Sequence, residues 1–330
     1  MKRHLQTAAL AISAALTAAV SAMAQSAAPA AQWPERSVRL VVPFPAGSAT
    51  DVIVRIIETN LTPQLGQPVV VDNRSGASGA IGVDAVAKAQ PDGYLVGLIT
   101  VSTHAVAAGL GKKLPYDPIA DQTPVGMIGS TPYVLVTYPG LGLRNLGELV
   151  ALAKAKPGTL NYGSAGPASM AHLAAALLGV EAGIDIVHVP YRSSVHAVTD
   201  IMAGRVQMQF ATIPPSAELI ATNKLTALAV SSRNRSPTLP AVPTVAEQGI
   251  PGFEASLWMA LVMPPKTAPA IARRFNEALN NVLADGKMRD ALLVQGLEPE
   301  PGPPEMVTER IRSDSEKWRT VIAKAGIKAD

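Results

Sequence analysis

The sequence predicts an α/β fold on largely parallel strands, arranged in two lobes, and three observations point there. Short β-branched runs alternate with segments of helical periodicity from residue 37 onward. The order strand, small-residue loop, helix occurs in the first third of the chain and again in the second. The 330 residues suffice for two hydrophobic cores of ordinary size.

Residues 37–42 read as the first strand, and the loop Pro43-Phe44-Pro45-Ala46-Gly47-Ser48-Ala49-Thr50 follows. From Asp51 to residue 65, Val52, Ile53, Ile56, Ile57 and Leu61 recur at the spacing of one helix face. Residues 68–71 form the next strand, 80–89 a helix, Pro91-Asp92-Gly93 a turn and 94–101 a third strand. The order returns with a helix at 146–154, a strand at 159–162, the loop Gly163-Ser164-Ala165-Gly166-Pro167-Ala168 and a helix at 169–182. Strands at 185–189, 206–210 and 225–230 are separated by helical pieces at 195–202 and 216–221. The proline-punctuated stretch 239–251 leads to a strand containing Trp258, and the remainder is mostly helical. A first lobe of residues 33–130 and 253–330 and a second of 131–252 would be joined by two crossings, the arrangement of a clamshell.

The first 24 residues predict export. Lys2 and Arg3 precede a short apolar stretch from Leu10 to Val20, and Ala22-Met23-Ala24 is a small-x-small cleavage site, so the mature chain should begin near Gln25. Those two basic residues supply most of the formal charge of +3, and no basic run or basic-aromatic stripe follows. Nucleic-acid binding is therefore not expected. The absence of cysteine excludes disulfides, a thiol nucleophile and a thiolate metal site.

Both small-residue loops sit where a strand hands over to a helix, whose first amides and partial positive charge suit an anion. Ala46, Gly47 and Ala49 in one loop, and Gly163, Gly166 and Ala168 in the other, keep side chains clear of the backbone. Ser48, Thr50, Ser164 and Ser169 add hydroxyls, and Pro167 lies between them in the second loop. Each loop taken alone also reads as a glycine turn with a capping Ser, Thr or Asp51. Two such loops, one per lobe, predict a shared clamp for a carboxylate or phosphate. Phosphate is the poorer fit, because neither loop matches G-x-x-x-x-G-K-[ST].

Other candidates are fewer. Ser78, in Gly76-Ala77-Ser78-Gly79-Ala80, only half resembles a nucleophile elbow but could face the cleft. His104 follows the third strand and is a cleft candidate; His172 and His188 read as packed residues without zinc spacing. Tyr191 and Arg192 lie between a strand and a helix, and the Arg192 fork suits a carboxylate. Asp200 could orient a water or an amino group. Neither metal nor cofactor is expected.

Taken in order, Pro43 to Asp51, Asn73 to Gly82, Pro91-Asp92-Gly93-Tyr94, Lys113 to Asp117, Asn161 to Gly166, His188-Val189-Pro190-Tyr191, Leu239 to Thr244 and Pro251-Gly252-Phe253-Glu254 resemble the Bug family of extracytoplasmic solute receptors. The resemblance covers the chain from Trp33 to its end. It implies a two-lobed fold of the type II periplasmic-binding kind, no catalysis, a periplasmic location, a small organic carboxylate held between the two loops, partly through ordered waters, and a membrane permease partner of one large and one small subunit. The receptor itself is expected to be a monomer. It also implies pincer roles for Phe44, Ala46, Gly47 and Asp51 in the first loop and Ser164, Gly166 and Ser169 in the second. The chain departs from the family pattern at Ser48 and Ala168, where glycine is common, at Arg192-Ser193, where Lys-Gly is common, and at His196 and Asn223. Two alternatives stay open at this point: a sensory receptor that signals to a membrane kinase, and a secreted hydrolase using Ser78 or Ser164, neither of which has an evident base.

Overall fold

The computed structural model describes residues 33–328, so the predicted export segment lies outside the described residues. The chain divides into Met1–Glu35 and Arg36–Asp330, and the second unit carries every element below. In chain order these are β1 (Val38–Val42), α1 (Ala49–Leu65), β2 (Val69–Asn73), α2 (Ala80–Ala87), β3 (Leu95–Thr100), β4 (Thr123–Thr137), α3 (Leu146–Ala155), β5 (Leu160–Ser164) and α4 (Met170–Ala182). There follow β6 (Ile186–Pro190), α5 (Ser194–Met202), β7 (Met208–Thr212), α6 (Ile213–Ala221), β8 (Thr226–Val230), β9 (Ser256–Met263), α7 (Pro269–Ala284), α8 (Gly286–Val294), the short β10 (Glu298–Pro299) and α9 (Glu305–Lys324).

The strands run β2-β1-β3-β9-β4-β7-β5-β6, with β8 and β10 also paired to β4. Two half-sheets with one plan make up this order. In the first, β1 pairs in parallel with β2 and β3, and β9 lies antiparallel between β3 and the first part of β4. In the second, β5 pairs in parallel with β6 and β7, and the last part of β4 lies antiparallel between β7 and β8. The loops after β1 and β5 thus leave the carboxyl ends of the central parallel strands, the place where open α/β sheets bind ligands.

The 15-residue strand β4 joins the halves: its residues Thr123–Pro132 register with β9, and Tyr133–Thr137 register with β7 and β8. No strand is expected there from sequence, because Pro124, Gly126, Gly129 and Pro132 read as breakers. The fold absorbs them with register shifts between Pro124 and Gly126 and between Met127 and Gly129. Gly126 is also needed for space, since a Cβ there would stand 2.7 Å from Asn276 Nδ2.

Where the two crossings meet, fully buried Ser231 ties them together. Its Oγ accepts the Tyr133 amide at 2.8 Å and donates to the Ala255 carbonyl at 2.6 Å, while its amide donates to the Tyr133 carbonyl at 2.8 Å. The main core runs through both halves, from Val41, Ile99 and Met127 to Tyr162, Leu173 and Phe210, and includes Trp258 and Trp318. Helix α9 packs on β4 and on α4, so it touches both halves. Its Asp314 accepts the Trp258 indole N–H at 2.7 Å and pairs with Lys317 at 2.8 Å, which makes this buried carboxylate a fully bonded one. Among the described residues no helix is long and apolar enough to cross a membrane.

Candidate functional site

The two loops are built by the same local device. Ser48 is the N-cap of α1, its Oγ accepting the Asp51 amide at 3.3 Å, and Asp51 Oδ2 accepts the Gly47 amide at 2.8 Å. Ser169 is the N-cap of α4, its Oγ accepting the His172 amide at 3.4 Å, and His172 Nδ1 accepts the Ala168 amide at 3.1 Å. In each case the third helical residue reaches back over the cap, as in a capping box. The residue before each cap is left-handed: Gly47 at φ 79° and Ala168 at φ 55°. A Cβ at Gly47 would meet nothing within 4 Å, so glycine serves the backbone angle there and the space beyond it is open.

This device leaves particular donors free. The amides of Ala49 and Thr50, and those of Met170 and Ala171, occupy the first two positions of helices α1 and α4 and have no intrahelical acceptor. With the partial positive charge of the helix ends, each pair can receive one carboxylate. Ala46, Gly47, Ala165 and Pro167 are exposed beside them, and Phe44, Ser48, Gly166 and Ser169 are half-buried.

Several candidate residues turn out to support the loops instead of presenting themselves to a ligand. Asp51 is 2 % exposed and fully engaged. Beyond Gly47, its Oδ2 accepts Arg55 Nε at 2.9 Å and its Oδ1 accepts Asn73 Nδ2 at 2.8 Å, while the same Asn73 amide donates to the Phe44 carbonyl. Burial alone would raise its pKa, but the bonds from Arg55, Asn73 and Gly47 outweigh burial and hold it below the usual carboxylate range. Its pincer role is corrected to a brace, because both oxygens point inward. Ser164 is likewise buried: its Oγ lies 2.6 Å from His188 Nε2 and accepts the Gly166 amide at 3.1 Å. Gly166 belongs to this internal turn, and the counterpart of Gly47 is Ala168.

Candidate His104 also moves out of the cleft. It is 1 % exposed, with Nδ1 2.9 Å from Thr103 Oγ1 and Nε2 3.0 Å from Gln122 Oε1. Burial pushes its pKa down to about 4 against a smaller upward pull from Gln122, so it is a neutral core residue. Asp200 is corrected for a similar reason, since it accepts the Tyr191 hydroxyl at 2.8 Å and pairs with Arg205 at 2.6 Å. Arg192 is exposed and takes part in no ion pair among the described residues. Ser78 is exposed in the turn Ala77–Gly79, which packs against the first loop: a Cβ on Gly79 would lie 3.4 Å from Pro43 Cβ and 3.6 Å from Phe44 Cζ.

Beneath the second loop the rings of His172 and His188 stack with centroids 3.7 Å apart and an 18° tilt, and Tyr162 stacks on His188 at 5.1 Å. The Ser164–His188 contact is the base that the sequence did not reveal. It makes no exposed nucleophile, because Ser164 is sealed from solvent and its hydroxyl is shared with the Gly166 turn. Asn73 and Arg55 are supports of the first loop that sequence reasoning missed, whereas His172 and His188, read as packed residues, are packed and stack on each other. The repeated Ser-x-x-Asp and Ser-x-x-His spacing, Ser48 to Asp51 and Ser169 to His172, was the available signal.

Residues 53–327 match the model of the tripartite tricarboxylate transporter family receptor. The chain belongs to that family. This receptor is 39% identical to BugT of Bordetella pertussis over 298 residues, which cover 90% of this chain and 91% of that protein. Among solved structures, R. palustris Rpa4515 with adipate is 34% identical, covers 90% of this chain and 99% of its own, and superposes with a TM-score of 0.71. A TctC solute binding protein from Polaromonas, solved with no ligand, is 27% identical over 88% of this chain and 99% of its own, with a TM-score of 0.82. The receptor is accordingly a two-lobed α/β solute-binding protein of the TctC and Bug type, and not an enzyme. The family match begins inside α1, so the first loop rests on its own geometry.

Proposed function

We propose that this receptor captures a small organic carboxylate between the loop after β1 and the loop after β5, and that the lobes close on it. The lobes are residues 33–130 with 253–330, and residues 131–252. The observation that carries the reading is the matched pair of loops, in which a left-handed residue, a serine cap and a third-position side chain recur at the start of a helix whose first two amides have no intrahelical acceptor. Two such helix ends suit a ligand with a carboxylate at either end, or one carboxylate shared by both. That Rpa4515 was solved with adipate supports this class.

In this reading the chain is exported, loses the segment ending near Ala24, and works in the periplasm as a monomer. It hands its ligand to a membrane permease of one large and one small subunit. No cofactor enters the process, since capture and release need only hydrogen bonds and lobe movement. Ser231 and the two crossings it clips supply the hinge.

A thermal-shift comparison of adipate with its uncharged diamide tests the reading. A ligand that binds the folded state alone raises its melting temperature. Adipate or another dicarboxylate should raise it and the diamide should not. Equal shifts from acid and diamide would show that the helix-end amides do not read negative charge.

A further inference from the structure

The two loops share one architecture but not one chemistry. In the first, the left-handed Gly47 is held by the Asp51 carboxylate, which Arg55 and Asn73 keep charged. In the second, the left-handed Ala168 is held by an imidazole: its N–H donates to His172 Nδ1 at 3.1 Å, which requires that nitrogen to be unprotonated. An alanine at φ 55° is strained relative to glycine, so the conformation depends on what fastens it. The surroundings of His172 favour the neutral ring. It is 8 % exposed and stacks on His188, which is itself engaged with Ser164. Tyr162 from β5, Asp185 before β6 and Lys324 from α9 are the titratable groups that line, together with both imidazoles, a groove of about 470 Å³.

We propose that His172 is a positioning residue for the second loop, whose ligand-ready shape lasts only while the His172 imidazole is neutral. A proton on Nδ1 converts the acceptor of the Ala168 N–H into a second donor, so the bond is lost. The strained alanine is then free to relax, and the Met170 and Ala171 amides lose their aim. The first loop has no equivalent response, so acid loosens one jaw of the clamp and leaves the other. This rests on the reading that the second loop contacts the carboxylate. Burial, followed by the neighbouring His188, pushes the His172 pKa down to about 4, which puts the response in the acid range.

The test uses three proteins: the wild type, His172→Asn, whose Oδ1 replaces Nδ1 as a non-titrating acceptor, and His172→Leu, which has no acceptor. In ligand-free ¹⁵N-labelled protein, the Ala168 amide resonance should move with the His172 imidazole between pH 7.5 and 4, and should stay flat in His172→Asn. With adipate as probe, His172→Asn should bind within a few-fold of wild type at pH 7.5, and His172→Leu about tenfold more weakly, as expected for one lost hydrogen bond. Towards pH 4, where the His172 ring is about half protonated, the wild type should lose about twofold more affinity than His172→Asn, a difference that removes the titration of adipate itself. Parallel loss in both proteins, or an Ala168 resonance indifferent to His172, would overturn the proposal. An Ala168 amide that follows His172 in a protein that binds no carboxylate at any pH would uphold the fastening and sink the functional reading. Should His172→Leu fail to fold, the comparison with His172→Asn still decides.

Discussion

Replacing Asp51 by asparagine should open the first loop. The carboxylate accepts the Gly47 amide and Arg55 on Oδ2 and Asn73 Nδ2 on Oδ1. Asparagine has one accepting oxygen, so it can serve the Gly47 side or the Asn73 side but not both. The bond it loses is one to a charged acceptor, a difference of about 1.5–3 kcal/mol. Arg55 is half-exposed, so its ion pair adds less than about 1 kcal/mol. The expected destabilisation of about 2–3 kcal/mol corresponds to a fall of about 1 M in the urea midpoint at a slope of about 2–3 kcal/mol/M. Affinity for adipate should fall further than stability alone explains, by about ten- to a hundredfold, because the Ala49 and Thr50 amides are aimed by this brace. Urea unfolding and calorimetry on the same preparation measure both. An Asp51→Asn protein with a wild-type midpoint and wild-type affinity would refute the claim that Asp51 shapes the loop.

Other consequences follow from the same geometry. Gly47→Val should reduce adipate affinity at least about tenfold by forcing a β-branched residue into a left-handed angle, whereas Ser78→Ala should leave binding within about twofold, both by calorimetry. The buried His104 and His172, each near pKa 4 when folded against 6.5 when unfolded, refuse protons that the unfolded chain accepts. Their stabilisation is therefore complete above pH 6.5 and is lost as pH falls from 6.5 towards 4, by up to about 3 kcal/mol for His104; a urea midpoint that stays level across this window would contradict it. Ser231→Ala removes the hydroxyl that accepts from Tyr133 and donates to Ala255, and should lower stability by about 1–3 kcal/mol in urea titrations while altering the radius of gyration of the ligand-free protein in X-ray scattering.

Much of the parallel framework was legible because its elements are local. The strand, loop and helix after β1 and after β5 were readable from β-branched runs, small residues and helical spacing, and both loops lie where those patterns put them. β4 was not legible, because its prolines and glycines carry breaker signals that only tertiary neighbours such as Asn276 explain. At the site, composition marked the two loops as candidates but not which of their residues turn inward. Asp51 and Ser164 are polar residues beside a small-residue loop, and nothing local says whether such a side chain points out to a ligand or in to hold the turn. That depends on partners distant in sequence: Asn73 for Asp51 and His188 for Ser164. His104 was misplaced for the same reason, since Gln122, which takes its Nε2, is 18 residues away.

The most direct measurement of the central claim is a crystal structure of the receptor grown with adipate. Carboxylate oxygens should lie within hydrogen-bond distance of the Ala49 and Thr50 amides and of the Met170 and Ala171 amides, with the two half-sheets drawn together about Ser231. Adipate seated away from both helix ends, or held by one loop alone with the halves unmoved, would contradict it.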